Sequence, residues 1–358
     1  MIDVTLGDRT STEDRPGPTP AAARIAGALT AYACGDAFGL PWEGSAPQDV
    51  DVPRAADIPA RGRWERGSTS DDTALTLLVA EHLTAHGGAG DPAALLGTLA
   101  DRAASIHGLG PSTIAAIDHF RAHGRPPARG GRTNGALMRA LPIGWATAPD
   151  DAARRRRWVR ALSAITHPDP VAQAAAVIAA ACASWAVAGA DGPTLLAVAE
   201  AEALAEVEAL AEAETLAEVE TLAEAEAPAG AALPAEPVAR PGADQVRSLF
   251  TLVREIERGR WVPPPAGVSL DPVETLGAVL HCVATRPTLG AALPAAIGLG
   301  GDTDTVAALT GGILGGRHTS EEVRAELPWS SRALLPPQGT IDVLADGLAT
   351  LRGPGPTG

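Results

Sequence analysis

Cysteine is scarce in this chain. Cys34, Cys182 and Cys282 are the three cysteines. Their wide spacing matches no zinc or redox motif and leaves one unpaired in any disulfide scheme. A disulfide scaffold and a thiolate metal site are thereby excluded, and a reducing cytoplasm is the default setting. The first twenty residues lack an apolar core and carry Asp3, Asp8, Glu13 and Asp14, so they do not read as a secretory signal. No run alternates β-branched with polar residues, so no strand is expected. Residues 200–226 contain ten glutamates and neither Lys nor Arg. The net charge of −15 therefore sits mainly there and leaves about −5 for the remainder, which argues against nonspecific nucleic-acid binding. Aromatics are 3% of the chain, with seven Trp against one Tyr. Trp42 and Trp145 lie beside motifs, but core packing is the favoured reading for both and neither is assigned a ligand role.

One stretch, Val171–Ala190, is apolar enough to suggest a membrane span. It is mostly alanine, which contributes little to insertion, and a buried helix is expected instead. With 358 residues and 46% hydrophobic content, the chain can build a sizeable core in one large domain or two ordinary ones. Helical spacing appears at Ala21–Ala33, Ala93–Ile106, Ile114–Arg121, Asp244–Arg258, Pro272–Thr285 and Ala291–Gly298. The first of these is expected to end at Gly35-Asp36, exposing Asp36 and Glu43. Leu204–Ala227 repeats every six residues. Its leucines rotate by about 240° per repeat and make no stripe, so a solvated insertion with no face to bury is expected. The resulting layout is a disordered segment at 1–20, a domain over 21–350 interrupted by an Ala/Glu/Pro-rich insertion at 200–242, and a flexible tail at 351–358.

Two oxygen-rich clusters stand out: Ser70-Asp71-Asp72-Thr73 and Gly300-Gly301-Asp302-Thr303-Asp304-Thr305. Each precedes a helix-forming run, so each reads singly as an N-cap. Capping does not account for two aspartates per cluster, nor for the paired glycines, which allow close backbone approach. Together they offer only hard oxygen ligands, the kind magnesium takes. Gly108-Leu109-Gly110 opens a helix and reads as an ordinary glycine turn or a phosphate cradle. Gly130-Gly131-Arg132-Thr133-Asn134-Gly135 has the same form. His167, at a helix entrance, reads more readily as structural than as a ligand.

The order of these motifs resembles the ADP-ribosylglycohydrolase family, which includes dinitrogenase-reductase-activating glycohydrolases. The matching residues are Gly35-Asp36-x-x-Gly39-x-x-x-Glu43, Ser70-Asp71-Asp72-Thr73, Asn134-Gly135-Ala136-Leu137-Met138-Arg139, Thr166-His167-x-Asp169, Val273-Glu274-Thr275-Leu276 and the Gly300–Thr305 cluster. The resemblance implies an all-α orthogonal helical bundle in which the two clusters converge on two Mg²⁺ ions. It implies that Ser70, Asp71, Asp72, Asp302, Asp304 and Thr305 are metal ligands and that Glu43 is the catalytic carboxylate. Gly108, Gly110, Asn134 and Gly135 would hold the diphosphate, and His167 the distal ribose region. The implied activity is hydrolysis of the bond joining ADP-ribose to a modified protein side chain or small molecule. A monomer is expected, in the cytoplasm, without nucleic-acid or membrane partners. Two other functions stay open: a relative that binds ADP-ribose without cutting it, and a dinuclear hydrolase of another nucleotide or phosphoester. Arginine-specific bacterial members tend to carry an acid where this chain has Gly108, which implies a preference for O-linked ADP-ribose. Asp118 or Glu65 could reach the same space.

Overall fold

The computed structural model describes residues 18–225 and 243–353. Among these, extended pairing is limited to isolated bridges at Ser45–Gly301, Arg61–Trp64 and Val268–Gly301. The architecture is all-α. It opens with α1 (Pro20–Gly39), the short α2 (Val52–Ala55), α3 (Asp71–His86), α4 (Pro92–Arg102) and α5 (Pro111–His123). Two short helices, α6 (Gly135–Met138) and α7 (Leu141–Trp145), lead to α8 (Ala152–Ala164), α9 (Pro170–Val187) and the long α10 (Gly192–Ala225). The remainder is α11 (Ala243–Glu257), α12 (Pro272–Thr285), α13 (Leu289–Gly298), α14 (Thr303–Leu314), α15 (Ser320–Glu326) and α16 (Gln338–Arg352). Local chemistry sets many of the starts. Asp91, Asp169 and Asp271 each cap a helix whose first position is proline, where a missing N–H costs nothing.

The centre of the bundle is the crossing of α1 and α14, whose backbones touch. A Cβ on Gly35 would lie 2.1 Å from the Ala307 carbonyl oxygen, and one on Gly311 2.3 Å from that of Ala31. No larger residue fits either place. The helix α9 lies deep in the core. By length and composition it could cross a membrane, yet 83% of it is buried within this fold. Its alanines let α7, α8 and α10 pack closely around it, which is the buried helix expected from the sequence. Trp145 is also core, fully buried and edge-on to Tyr32.

Two expectations need correction. Helix α1 does not stop at Gly35. It continues to Gly39, and Asp36 is fully buried, not exposed. The glycines that looked like a terminator serve the contact with α14 instead. The second correction concerns the insertion. Leu204 is 44% exposed, as the six-residue repeat requires, but Ala199, Ala203 and Val207 are buried. Their spacing of four gives a helical stripe built of small residues that a count of leucines overlooks. Beside it, Glu202 accepts from Arg155 at 3.0 Å and Arg156 at 2.7 Å. Glu206 receives Arg160 at 2.8 Å on both oxygens. The start of the 200–242 segment is thus packed against α8 and α9. The expectations for its Pro-rich end at 226–242, for residues 1–17 and for 354–358 fall outside the described residues.

Helix α16 is the last helix of the described residues, and Arg352 ties it down. Its guanidinium donates to the Thr147 carbonyl at 2.6 Å and to that of Ser184 at 2.8 Å, near the C-terminal ends of α7 and α9. A cation is favoured there because helix C-termini present unpaired carbonyls.

Candidate metal centre and cleft

Three segments build the centre. The last turn of α1 supplies Asp36, which receives Ser70 N on its two oxygens at 2.9 and 3.0 Å. Its Oδ2 also accepts from Thr73 N at 3.0 Å and from Thr73 Oγ1 at 2.5 Å. Asp36 therefore fastens the first turn of α3, and Ser70 adds a capping bond from Asp72 N at 3.1 Å. So held, α3 presents Asp71 and Asp72. The third segment is the turn before α14. Gly300 and Gly301 have φ of +67° and +74°. Gly301 lies between Ser45 and Val268, and a Cβ on it would fall 2.0 Å from the Val268 carbonyl oxygen. The close approach read from these glycines is present. Asp302 holds the N-cap position of α14 but makes no capping bond, so its carboxylate is turned elsewhere.

Asp36, Asp72 and Asp304 converge, each with a carboxylate oxygen within 4.8 Å of the others. Thr305 Oγ1 donates to Asp72 Oδ2 at 2.9 Å. The structure thus joins the two sequence clusters and adds Asp36. Asp36 lies in the Gly35-Asp36 motif, but the assumed helix end had placed it at the surface. Burial, then the nearby Asp36, holds Asp72 well above the usual carboxylate range. Burial, then Asp302, does the same to Asp304. Burial and Asp36 push Asp71, half-buried at the edge, up to about 7. Asp72 Oδ1 and Asp304 Oδ1 are buried with no hydrogen-bond partner. An orphaned carboxylate oxygen is costly in a protein interior. Among the described residues, no Arg or His forms a salt bridge with any of these aspartates. The donor set, all oxygen and all acidic or hydroxylic, fits a hard divalent cation.

Several sequence-predicted residues lie around Asp71 and the start of α3. Glu43 is exposed just past a 3₁₀ turn. Desolvation and the Asp302 carboxylate raise its pKa, against the lowering pull of Arg61 and Arg63. Gly108 has φ of +96°, and a Cβ there would meet Asp71 Oδ1 at 3.0 Å and the Trp64 ring at 3.3 Å. Trp64 itself lies edge-on to His107, with Arg63 over its face at 5.3 Å. Sequence reasoning missed Trp64, because its surroundings read only as a polar loop and no spacing marks it. Gly110 begins α5, with open space where a Cβ would stand. Thr133 Oγ1 donates to Ser112 Oγ at 3.0 Å, which joins the 108–112 and 130–135 loops.

Two residues implied to touch substrate are occupied within the protein. His167 is fully buried, with Nδ1 2.8 Å from Thr166 Oγ1 and Nε2 2.9 Å from Thr133 Oγ1. Burial pushes its pKa down to about 3, so it is neutral. It lies behind Gly131 and Gly135, where a Cβ on either glycine would strike it at 2.6 Å. It supports the loop from beneath. Asn134 Nδ2 donates to Thr275 Oγ1 at 3.0 Å and to Asp302 Oδ2, and its backbone N–H donates to Leu270 O at 2.9 Å. Asn134 therefore has no donor left for a diphosphate.

Comparison with known proteins identifies the family and the fold. A profile of the ADP-ribosylglycohydrolase family matches residues 18–357. The Escherichia coli (strain K12) uncharacterized protein YegU is 31% identical over 195 residues, which is 49% of this chain and 57% of that protein. The matched region thus covers less than two thirds of that relative's length. A solved structure described as an ADP-ribosylglycohydrolase-related protein complex superposes with a TM-score of 0.68 at 23% identity, over 93% of this chain and 99% of that one. At that identity the likeness concerns the fold. With the family profile spanning nearly the whole chain, the protein belongs to the ADP-ribosylglycohydrolase family.

Proposed function

We propose that the protein is a Mg²⁺-dependent hydrolase that removes ADP-ribose from a modified side chain or small molecule at a dinuclear site. The observation that carries this reading is the pair of orphaned oxygens, Asp72 Oδ1 and Asp304 Oδ1, buried among further carboxylates. Ser70, Asp71 and Asp72 would hold the ions from the α3 side, and Asp302, Asp304 and Thr305 from the α14 side. When bound, the ions supply charge compensation, Lewis acidity and a lowered pKa for water. The remaining work falls to the chain. Cleavage at the anomeric carbon passes through an oxocarbenium-like state, which needs a proton donor or acceptor at the leaving side. Glu43 suits that role, since it is solvent-accessible and its raised pKa brings proton exchange nearer neutrality. The Gly108–Gly110 and Gly130–Gly135 loops would flank the diphosphate, with His167 holding the second loop in shape.

We further infer a preference for O-linked over arginine-linked ADP-ribose. Position 108 offers no side chain beside Asp71, so a guanidinium leaving group lacks a bidentate carboxylate partner there. Asp118 is surface-exposed on α5, 4.0 Å from Arg121, and Glu65 is exposed on its loop. The test is mass-spectrometric measurement of ADP-ribose release from Arg-, Ser- and phosphate-linked substrates, with and without Mg²⁺. Metal-dependent release, fastest from the O-linked substrates, is expected. Binding of ADP-ribose without release from any substrate would refute the hydrolase assignment, and faster release from arginine would refute the linkage preference alone.

A further inference from the structure

Asn134 occupies the N-cap position of α6, where an Asn side chain ordinarily accepts from the helix's own N–H groups, yet it makes no capping bond. Its carboxamide is turned inward, with the residue only 4% exposed. The orientation of the amide is determined by its neighbour. Thr275, fully buried, spends its one hydroxyl hydrogen on Ser269 O at 3.3 Å, so toward Asn134 it can only accept. That requires Nδ2, not the amide oxygen, at the 3.0 Å contact. The second Nδ2 hydrogen then faces Asp302 Oδ2. Rotating the amide by 180° would set two oxygens against each other, so the hydroxyl of Thr275 fixes the donor that Asp302 receives.

We propose that Asn134 and Thr275 are positioning residues for Asp302. By occupying Oδ2 with a fixed donor, they hold the Asp302 carboxylate beside Asp304 and Thr305 and leave Oδ1 for a cation. Thr275 belongs to the Val273-Glu274-Thr275-Leu276 motif, for which the family resemblance implies no role, and the relay supplies one. The backbone reinforces it. Asn134 N donates to Leu270 O at 2.9 Å, and Asp302 N to Val268 O at 2.8 Å, so the 268–275 segment connects the 130–135 loop to the α14 turn. This inference rests on the metal-site reading above.

The test uses the full-length protein and measures metal, not turnover: Mg²⁺ affinity by calorimetry and the Mn²⁺ electron paramagnetic resonance signal. Asn134→Ala is expected to weaken Mg²⁺ about ten-fold or more, as losses of a ligand's hydrogen-bond partner commonly do. Thr275→Val should follow it with a smaller loss, and Thr275→Ser, which keeps the hydroxyl, should restore wild-type affinity. At saturating Mg²⁺, ADP-ribose affinity should remain near wild type in all three. The Mn²⁺ spectrum of Asn134→Ala should change shape, since a freed Asp302 carboxylate alters the ligand geometry. Wild-type Mg²⁺ affinity in both Asn134→Ala and Thr275→Val would overturn this proposal alone. So would a loss confined to ADP-ribose binding, which would make Asn134 a substrate contact. Absence of divalent-cation binding by the wild-type protein would overturn the metal reading as well.

Discussion

At the scale of single residues, carboxylates that share one charge have been assembled out of contact with water, and each substitution there has a distinct signature. Asp302→Asn or Asp304→Asn removes a charge but keeps one oxygen, so Mg²⁺ affinity and turnover should both collapse while circular dichroism changes little. Wild-type turnover at limiting Mg²⁺ in either variant would contradict the ligand assignment. Glu43 is different, being exposed and outside the buried cluster. Glu43→Gln should lower kcat strongly and leave ADP-ribose affinity, measured by calorimetry, nearly intact. His167 has its own pH signature. Its folded pKa is depressed to about 3 while the unfolded value is near 6.5, so the unfolded chain binds the extra proton. Its contribution to stability is therefore present above about pH 6.5 and lost as pH falls, by at most about 1.4 kcal/mol per unit. His167→Gln should consequently cost less stability at pH 5 than at pH 7, as read from paired urea denaturation curves. These clusters could be read in the sequence because paired acids with flanking hydroxyls are unusual at a helix start. The direction of Asn134 could not, because an Asn before a helix looks the same whether it caps or turns away.

At the scale of helices, legibility followed the size of the buried side chains. The spans of α12 and α13 and the burial of α9 follow from apolar periodicity and alanine content. Helix α10 misled because its buried stripe is Ala199, Ala203 and Val207, while its leucines point elsewhere. The charges beside that stripe sharpen the point. Glu206 is 2% exposed and pairs with Arg160 through both oxygens at 2.8 Å. Removing one partner of a buried ion pair strands the other, at a cost of about 3–5 kcal/mol. Arg160 is partly exposed, so the lower end of that range or below is expected for Glu206→Gln. Glu208→Gln, on the exposed side, should leave the melting temperature unchanged. Equal melting temperatures for the two variants in differential scanning calorimetry would mean that α10 is not held to α8 through these charges.

At the scale of the whole molecule, the buried acids couple stability to pH, and on the proposed metal reading to cation binding as well. Asp71, Asp72, Asp302 and Asp304 all have raised folded pKa values, so the metal-free fold binds more protons than the unfolded chain. Their contribution is fully present below the unfolded value of about 3.9 and is lost as pH rises through the folded values, about 7 for Asp71. On the proposed metal reading, protons and Mg²⁺ would compete for the same oxygens. The thermal shift produced by Mg²⁺ over EDTA should grow from pH 5 to pH 8, and a shift that is flat or shrinks would count against these acids as the binding site. Arg352 gives a second global lever. Its guanidinium closes the carbonyls at the ends of two helices from one residue near the end of the last helix. Arg352→Met removes the guanidinium from two carbonyls that keep only the Ser184 hydroxyl and the Ala188 N–H as donors, and should lower the melting temperature by several degrees, with little effect on Mg²⁺ affinity.

The crossing of α1 and α14 has a consequence for ionic radius. Asp36 rides on one helix and Asp304 on the other, and around Gly35 and Gly311 those helices meet backbone to backbone. No side chain lies between them there to flex, so Asp36, which fastens the α3 turn carrying Asp71 and Asp72, is held at a fixed distance from the α14 backbone that carries Asp304. Oxygen ligands sit about 2.0–2.1 Å from Mg²⁺ but about 2.3–2.6 Å from Ca²⁺, which also takes more of them. A centre that cannot widen should accept Mg²⁺ and the slightly larger Mn²⁺ and resist Ca²⁺. Gly35→Ala, by forcing the helices apart, should weaken Mg²⁺ more than Ca²⁺ and narrow the gap between the two.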